Sequence, residues 1–215
     1  MTTDEIEQLK KLHRELEDVI EARLREFDQL WLNADEERLF EELVFCLLTP
    51  QSRARSCWAA VERLSSGGEL RCPARERVHM ELRGVRFSRR KAEYICMARE
   101  LFTVEGRLSV RAQMDPQNPS QTREWLVGNV KGMGYKEASH FLRNIGLGRD
   151  LAILDRHILK NLVRFGVIPG IPRSLGRGRY LKIEVAMSDF ARRINIPMSH
   201  LDMLLWYMGA GEVFK

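Results

Sequence analysis

No stretch of this chain approaches the roughly 18 consecutive apolar residues that a membrane-spanning helix needs. The opening MTTDEIEQLKKL has neither a basic segment nor an apolar core, so it does not read as a secretion signal, and an intracellular protein with no membrane partner is expected. Cysteine is scarce. The four, Cys46, Cys57, Cys72 and Cys96, show no paired CxxC spacing, which speaks against metal ligation and for reduced structural thiols. Only 7 prolines and 15 glycines interrupt 215 residues, and 44% hydrophobic against 30% charged residues is the balance of a chain that buries a core, which excludes a disordered one. Strand-like alternation is missing as well, and no internal repeat is visible, so an all-α fold is expected.

Helical periodicity is what the chain has. Ile6, Leu9, Leu12, Leu16, Val19, Ile20 and Leu24 predict an amphipathic helix over 4–27. Leu39, Phe40, Leu43, Val44, Leu47 and Leu48 predict a second, from about Asp35 to the break that Pro50 imposes on Thr49. Ser52 reads as the N-cap of a third helix through Leu64, closed by Ser65-Ser66-Gly67-Gly68, and Ser88 as the cap of another to about Phe102. The segment DPQNPS, 115–120, is loop chemistry, and Trp125, Leu126 and Val130 mark the helix after it. Further helices are expected near 136–146, 155–165, 179–193 and 198–208, with a Gly-, Pro- and Arg-rich connection over 166–178. About ten helices on short connections imply one domain, 1–215, made of two interleaved helical lobes with a ligand cleft between them.

Charge is uneven. Lys and Arg number 35 against 30 Asp and Glu, a net charge of +5, and the acids crowd the N-terminal helix. Arg83, Arg86, Arg89, Arg90 and Lys91, then Arg173, Arg177, Arg179 and Lys182, make basic runs suited to a polyanion. A mildly basic protein that binds no nucleic acid has the same totals, so the assignment rests on motifs.

The informative segment is NVKGMGYKEASHFLRN, 129–144, with Gly132 and Gly134 at alternate positions between two helical patterns. Such a turn exposes backbone N–H groups at the positive end of the following helix, where a phosphate binds and small residues let the DNA backbone approach. It is a helix-hairpin-helix candidate spanning about 125–146, although a plain capping turn uses the same glycines. Lys136 follows two positions after Gly134, and Asp155 opens a later helix in LAILDRHIL, where it also reads as an N-cap.

In these residues the chain resembles the helix-hairpin-helix DNA glycosylases, which pair a lysine just after the hairpin with an aspartate that begins a later helix. KGMGYKEASHFLRNIG, AILDRHIL and the C-terminal LLWYMGAGEVFK are similar to the archaeal-type 8-oxoguanine DNA glycosylases, a compact branch without the extra N-terminal domain of the eukaryotic enzymes. The resemblance runs along essentially the whole chain. It implies a bifunctional N-glycosylase and AP lyase acting on double-stranded DNA that contains an oxidised purine, with Lys136 as nucleophile and Asp155 as the carboxylate that steadies an oxocarbenium-like sugar. The chemistry agrees, because an amine must be neutral to attack a sugar carbon and partial desolvation beside a helix N-terminus favours the neutral form.

The same resemblance implies the supporting roles. His157 stands near the phosphate beside the lesion, and His140, one turn beyond Lys136, packs against the extruded base. A glycosylase must flip its nucleotide out of the stack, so Gln51 is the wedge candidate, with Arg53 and Arg55 on the opposite strand. The lesion differs from guanine chiefly by an N7–H donor in place of an acceptor. A backbone carbonyl near Pro50 and Gln51 would accept it, the C-terminal carboxylate of Lys215 would engage the base edge, and Trp206 would stack on the ring. The carbonyls of Gly128, Val130 and Met133 match positions that hold a monovalent cation, Na+ or K+, in related hairpins, and no other cofactor is required.

Relatives that act on oxidised pyrimidines or mismatched adenine carry a four-cysteine iron-sulfur cluster near the C-terminus. Here the last cysteine is Cys96, so no cluster is expected. Two readings stay open, a glycosylase for a different oxidised base and a non-catalytic DNA-binding module that would lose nothing if Lys136 became Gln. A monomer is the default.

Overall fold

Asp35 stops one helix and starts the next. Its carboxylate accepts from the Arg38 backbone N–H at 2.8 Å, so the N-terminal turn of α2 (Glu36–Leu48) has the side-chain cap that free helix amides demand. The computed structural model describes residues 3–71 and 74–212. Within them it contains ten α-helices: α1 (Thr3–Asn33), α2, α3 (Ala54–Ser66), α4 (Arg75–Glu81), α5 (Ser88–Leu101), α6 (Pro119–Asn129), α7 (Tyr135–Asn144), α8 (Arg156–Arg164), α9 (Arg177–Ile194) and α10 (Met198–Ala210). The all-α class is as expected, and no helix among the described residues is long and apolar enough to cross a membrane.

The chain divides into two compact units. The first comprises 1–27 and 148–215, the second 28–147. In the second, α2 is the buried axis: Leu39, Phe40, Leu43, Val44, Phe45 and Leu48 are wholly inaccessible, and the helix packs against α3, α5 and α7. Glu42 is also fully buried, and its charge is matched by Arg38 at 2.7 Å and by the Asn144 amide at 3.0 Å, which ties α2 to α7. In the first unit α10 packs on α8 and α9, and the rings of Phe165 and Phe190 stack at 5.8 Å.

Several boundaries differ from the sequence reading. Helix α1 continues beyond 27 to Asn33, because Phe27 is buried in the same register as Ile20 and Leu24 and no Pro or Gly intervenes. Ser52 does not cap α3. Arg53 is the capping position, without a side-chain bond, and the Ser52 hydroxyl instead accepts from the Arg86 N–H at 3.0 Å. Ser88 is likewise the first helical residue of α5 and not its cap, which is the left-handed Phe87. Helix α6 starts at Pro119, inside the expected loop, with Asn118 accepting from the Gln121 N–H.

Two elements lie where none is expected. Helix α4 has a single buried apolar residue, Val78, so it shows no period. A hairpin of β1 (Thr103–Val104) and β2 (Arg107–Leu108) turns through Glu105 and Gly106, both at positive φ, a two-residue turn whose strands are too short to alternate.

Candidate active site

The hairpin between α6 and α7 is built around Gly132. Its φ of +87° suits glycine, and a Cβ there would stand 2.2 Å from the Tyr94 ring of α5, so the turn lies directly on that tyrosine. Two of its amides are already bonded: Met133 N–H donates to the Val130 carbonyl at 3.1 Å, and Gly134 N–H to Glu137 Oε2 at 3.2 Å. The expected phosphate site is therefore narrower than the whole turn. Lys131 and Gly132 are the exposed residues of the turn.

Lys136, in the first turn of α7, reaches from this hairpin to the 48–52 turn. Its Nζ donates to the Thr49 hydroxyl at 3.2 Å and lies 3.8 Å from Glu137 Oε1, with 21% of the side chain exposed. Thr49 in turn donates to the Cys46 carbonyl at 2.9 Å, so its oxygen is oriented to accept from the lysine. His140, next along the same face, is buried with its ring edge-on to Phe45 at 5.5 Å, which makes it part of the packing beneath Lys136. Pro50 is half-buried, whereas Gln51, Arg53 and Arg55 are exposed, and Gln51 has a left-handed φ of 56° that raises its side chain on a strained turn.

What shapes that turn is Lys91, which the sequence reading placed in a basic surface run. It is 4% exposed, and its ammonium donates to the carbonyls of Leu48 at 2.6 Å and Pro50 at 2.7 Å and to the Ser52 hydroxyl at 3.1 Å. Burial pulls its pKa down from the ordinary lysine value. The neighbouring arginines Arg83, Arg86, Arg89 and Arg90 are exposed, as expected of a charged face. A charge pattern cannot separate a buried lysine from a surface one, and three convergent backbone and hydroxyl acceptors exist only after folding.

In the first unit the other half of the predicted pair occupies a helix start. Asp155 Oδ1 accepts from the N–H groups of His157 at 2.7 Å and Ile158 at 2.8 Å, the N-cap geometry expected for α8, while Oδ2 has no protein partner among the described residues. The extended segment before it is fastened by side chains that the sequence reading missed. Glu184 accepts from the Ala152 N–H at 2.8 Å and Asp202 from the Ile153 N–H at 3.0 Å, while the Tyr180 hydroxyl donates to the Ala152 carbonyl at 2.6 Å. These belong to α9 and α10, and only their polarity on otherwise apolar faces marks them in the sequence.

His157 packs on α10, where a Cβ at Gly209 would stand 2.2 Å from its Nδ1. Trp206 is half-buried beside the fully buried Leu204 and Leu205, between a core residue and an accessible ring. Lys215 and Cys72 lie outside the described residues. Lys136, Thr49, Pro50 and Gln51 thus share one unit, and Asp155, His157 and Trp206 the other. Gly128 sits in the last turn of α6 and Val130 is its C-cap, so the carbonyls there form the negative end of the helix dipole, a donor set that fits a small cation.

The sequence pattern of the 8-oxoguanine DNA glycosylases matches residues 20–196. The 8-oxoguanine DNA glycosylase/AP lyase of Fusobacterium nucleatum is 40% identical over 97% of this chain and 96% of its own length, and that of Methanocaldococcus jannaschii is 39% identical over 100% of both. The crystal structure of the M. jannaschii 8-oxoguanine glycosylase/lyase in complex with 15mer DNA containing 8-oxoguanine has a TM-score of 0.86 at 37% identity, covering 98% of this chain and 99% of that one. With a family pattern over most of its residues and relatives matched nearly end to end, this chain belongs to the 8-oxoguanine DNA glycosylase family.

Proposed function

We propose that the chain excises 8-oxoguanine from double-stranded DNA and cleaves the strand at the resulting site, with Lys136 as nucleophile. The observation that carries this reading is the position of the Lys136 amine, two residues past the glycine hairpin and hydrogen-bonded to Thr49, in a chain matched along its length by glycosylase/AP lyases. The lysine nitrogen bonds to C1′ of the damaged nucleotide, and the C1′–N9 bond breaks with its electron pair leaving on the base, which takes up a proton. Opening of the sugar gives a Schiff base. Loss of a 2′ proton then expels the 3′ phosphate oxygen and breaks the strand by β-elimination.

In this reading Asp155 steadies the positive sugar through Oδ2, the oxygen its capping bonds leave available. Gln51 fills the gap left by the flipped nucleotide, and Arg53 and Arg55 hold the opposite strand. A backbone carbonyl of Pro50 or Gln51 is the acceptor assigned to N7–H of the lesion, that of Pro50 keeping a second lone pair beside its bond from Lys91. Guanine would present acceptor against acceptor and be refused. Trp206 and the Lys215 carboxylate take the ring and edge of the base, with His140 packing behind and His157 at the neighbouring phosphate. Na+ or K+ at the carbonyls of Gly128, Val130 and Met133 would add positive charge beside a phosphate held at Gly132, the Gly134 N–H being taken by Glu137. The amine supplies the nucleophile, so no further cofactor is needed, and the enzyme works as an intracellular monomer.

The test is borohydride trapping on a duplex with one 8-oxoguanine. A covalent protein-DNA band that requires both the lesion and Lys136 is the expected result, and Lys136→Gln should abolish it while leaving binding to the duplex within a few-fold. Firm binding without a band from the unaltered protein would overturn the 8-oxoguanine reading and point first to another oxidised base and next to the non-catalytic module.

A further inference from the structure

The first unit holds a second cluster of ligating side chains, on the N-terminal half of α1 and the first turn of α10. His13 Nε2 lies 3.0 Å from Nδ1 of His200, and both rings are buried. Glu17, exposed, is one turn along α1 from His13. One carboxylate oxygen of Glu17 and one nitrogen of each histidine all lie within 4.8 Å of one another. The far nitrogen of His200, Nε2, is 3.1 Å from Glu21 Oε2, and Glu21 is itself flanked by Arg25 and Arg149 at 3.9 Å each.

Two features separate this group from an ordinary pair of core histidines. A carboxylate accepting from His200 Nε2–H fixes the tautomer, so Nδ1 carries the lone pair, which is the arrangement that orients metal-bound imidazoles. Glu17 in turn brings a carboxylate oxygen within 4.8 Å of both imidazole nitrogens, an anionic donor beside two neutral ones.

We propose that His13, Glu17 and His200 form a binding site for a borderline divalent transition-metal ion, with Zn2+ the ion best suited to the donors. Two imidazoles and a carboxylate, with a fourth position open to water beside the exposed Glu17, are a tetrahedral zinc donor set. Nitrogens about 2.0–2.1 Å from a tetrahedral ion stand roughly 3.3 Å apart, so the observed 3.0 Å needs to widen by only a few tenths. The ion takes the place of the proton that otherwise bridges the two nitrogens. That proton moves to Nδ1 of His13, and nothing is oxidised or reduced. Because its ligands come from α1 and α10, the ion staples together the two helices of this unit, independently of any role for Lys136.

The full chain, stripped with a chelator, is titrated calorimetrically near neutral pH with Zn2+ alone, and with Co2+ as a visible substitute. One equivalent bound with a Kd on the order of micromolar or tighter is expected, with tetrahedral Co2+ absorption and an unfolding midpoint that rises with Zn2+. Glu17→Gln, an exposed change that leaves the bonds from His13 through His200 to Glu21 in place, should weaken binding at least about tenfold, and Glu21→Gln by about 10–100-fold. His200→Gln should abolish it. No stoichiometric binding by the unaltered chain, or equal binding by Glu17→Gln and His200→Gln, would show a hydrogen-bonded pair only and overturn the proposal.

Discussion

Asp155 has a structural task and a proposed chemical one, and it divides them between its two oxygens. Oδ1 holds the first amides of α8, and Oδ2 is left for the sugar. The two tasks are separable by substitution, because Asn caps as well as Asp whereas Ala costs about 1 kcal/mol. Asp155→Asn should therefore unfold in urea within a few tenths of a kcal/mol of the parent and yet excise about 10²–10³-fold more slowly in single turnover. Retained excision would leave Asp155 a cap and nothing more. Lys91 acts at the same scale through the backbone it holds. Lys91→Met strands the Leu48 and Pro50 carbonyls, so a loss of about 2 kcal/mol is expected in urea unfolding, together with slower excision as the Gln51 turn relaxes. Unchanged stability would mean that water replaces the ammonium at no cost.

Among the elements, the hairpin joins sequence to structure most directly. Gly132 is visible in the sequence because its left-handed backbone selects glycine, but Tyr94 explains why it cannot be replaced even by alanine. Gly132→Ala should lose about 1–3 kcal/mol from the backbone alone, plus the clash with the ring. Adding Tyr94→Ala should recover the second part and not the first, in both urea unfolding and duplex affinity. Helix α1 was legible because burial repeats with the helical period, at Leu9, Ile20, Leu24 and Phe27, and α2 and α10 because long apolar runs are buried almost without a break. Helix α4, with only Val78 buried, and the two-residue strands of β1 and β2 offered no period to read. Ser52 and Ser88 resemble caps by residue type, yet the hydroxyl of Ser52 was taken by distant partners, Arg86 and Lys91, which local rules do not foresee.

At the scale of the molecule, the net charge of +5 with exposed arginines around 83–90 and 173–179 predicts affinity for duplex DNA that falls steeply with salt. The logarithm of the binding constant should decline linearly with that of salt at about 0.9 per phosphate neutralised, and Arg89→Ala should lower the slope by about one if Arg89 meets a phosphate. A slope near zero, measured by fluorescence anisotropy, would exclude these arginines as phosphate contacts. The sequence by itself determined the helical class, the glycine hairpin and the N-cap at Asp155, because periodicity, glycine turns and capping chemistry act between residues close in the chain, whereas the pairing of Lys136 with Asp155 came from the family resemblance. Only the tertiary structure decided that Lys91 is buried under the 48–52 turn, that Thr49 receives the Lys136 amine, and that Tyr180, Glu184 and Asp202 fasten the segment before Asp155. Those bonds join residues tens of positions apart, and a polar side chain at such a site looks like any solvated one until folding brings its partner within reach.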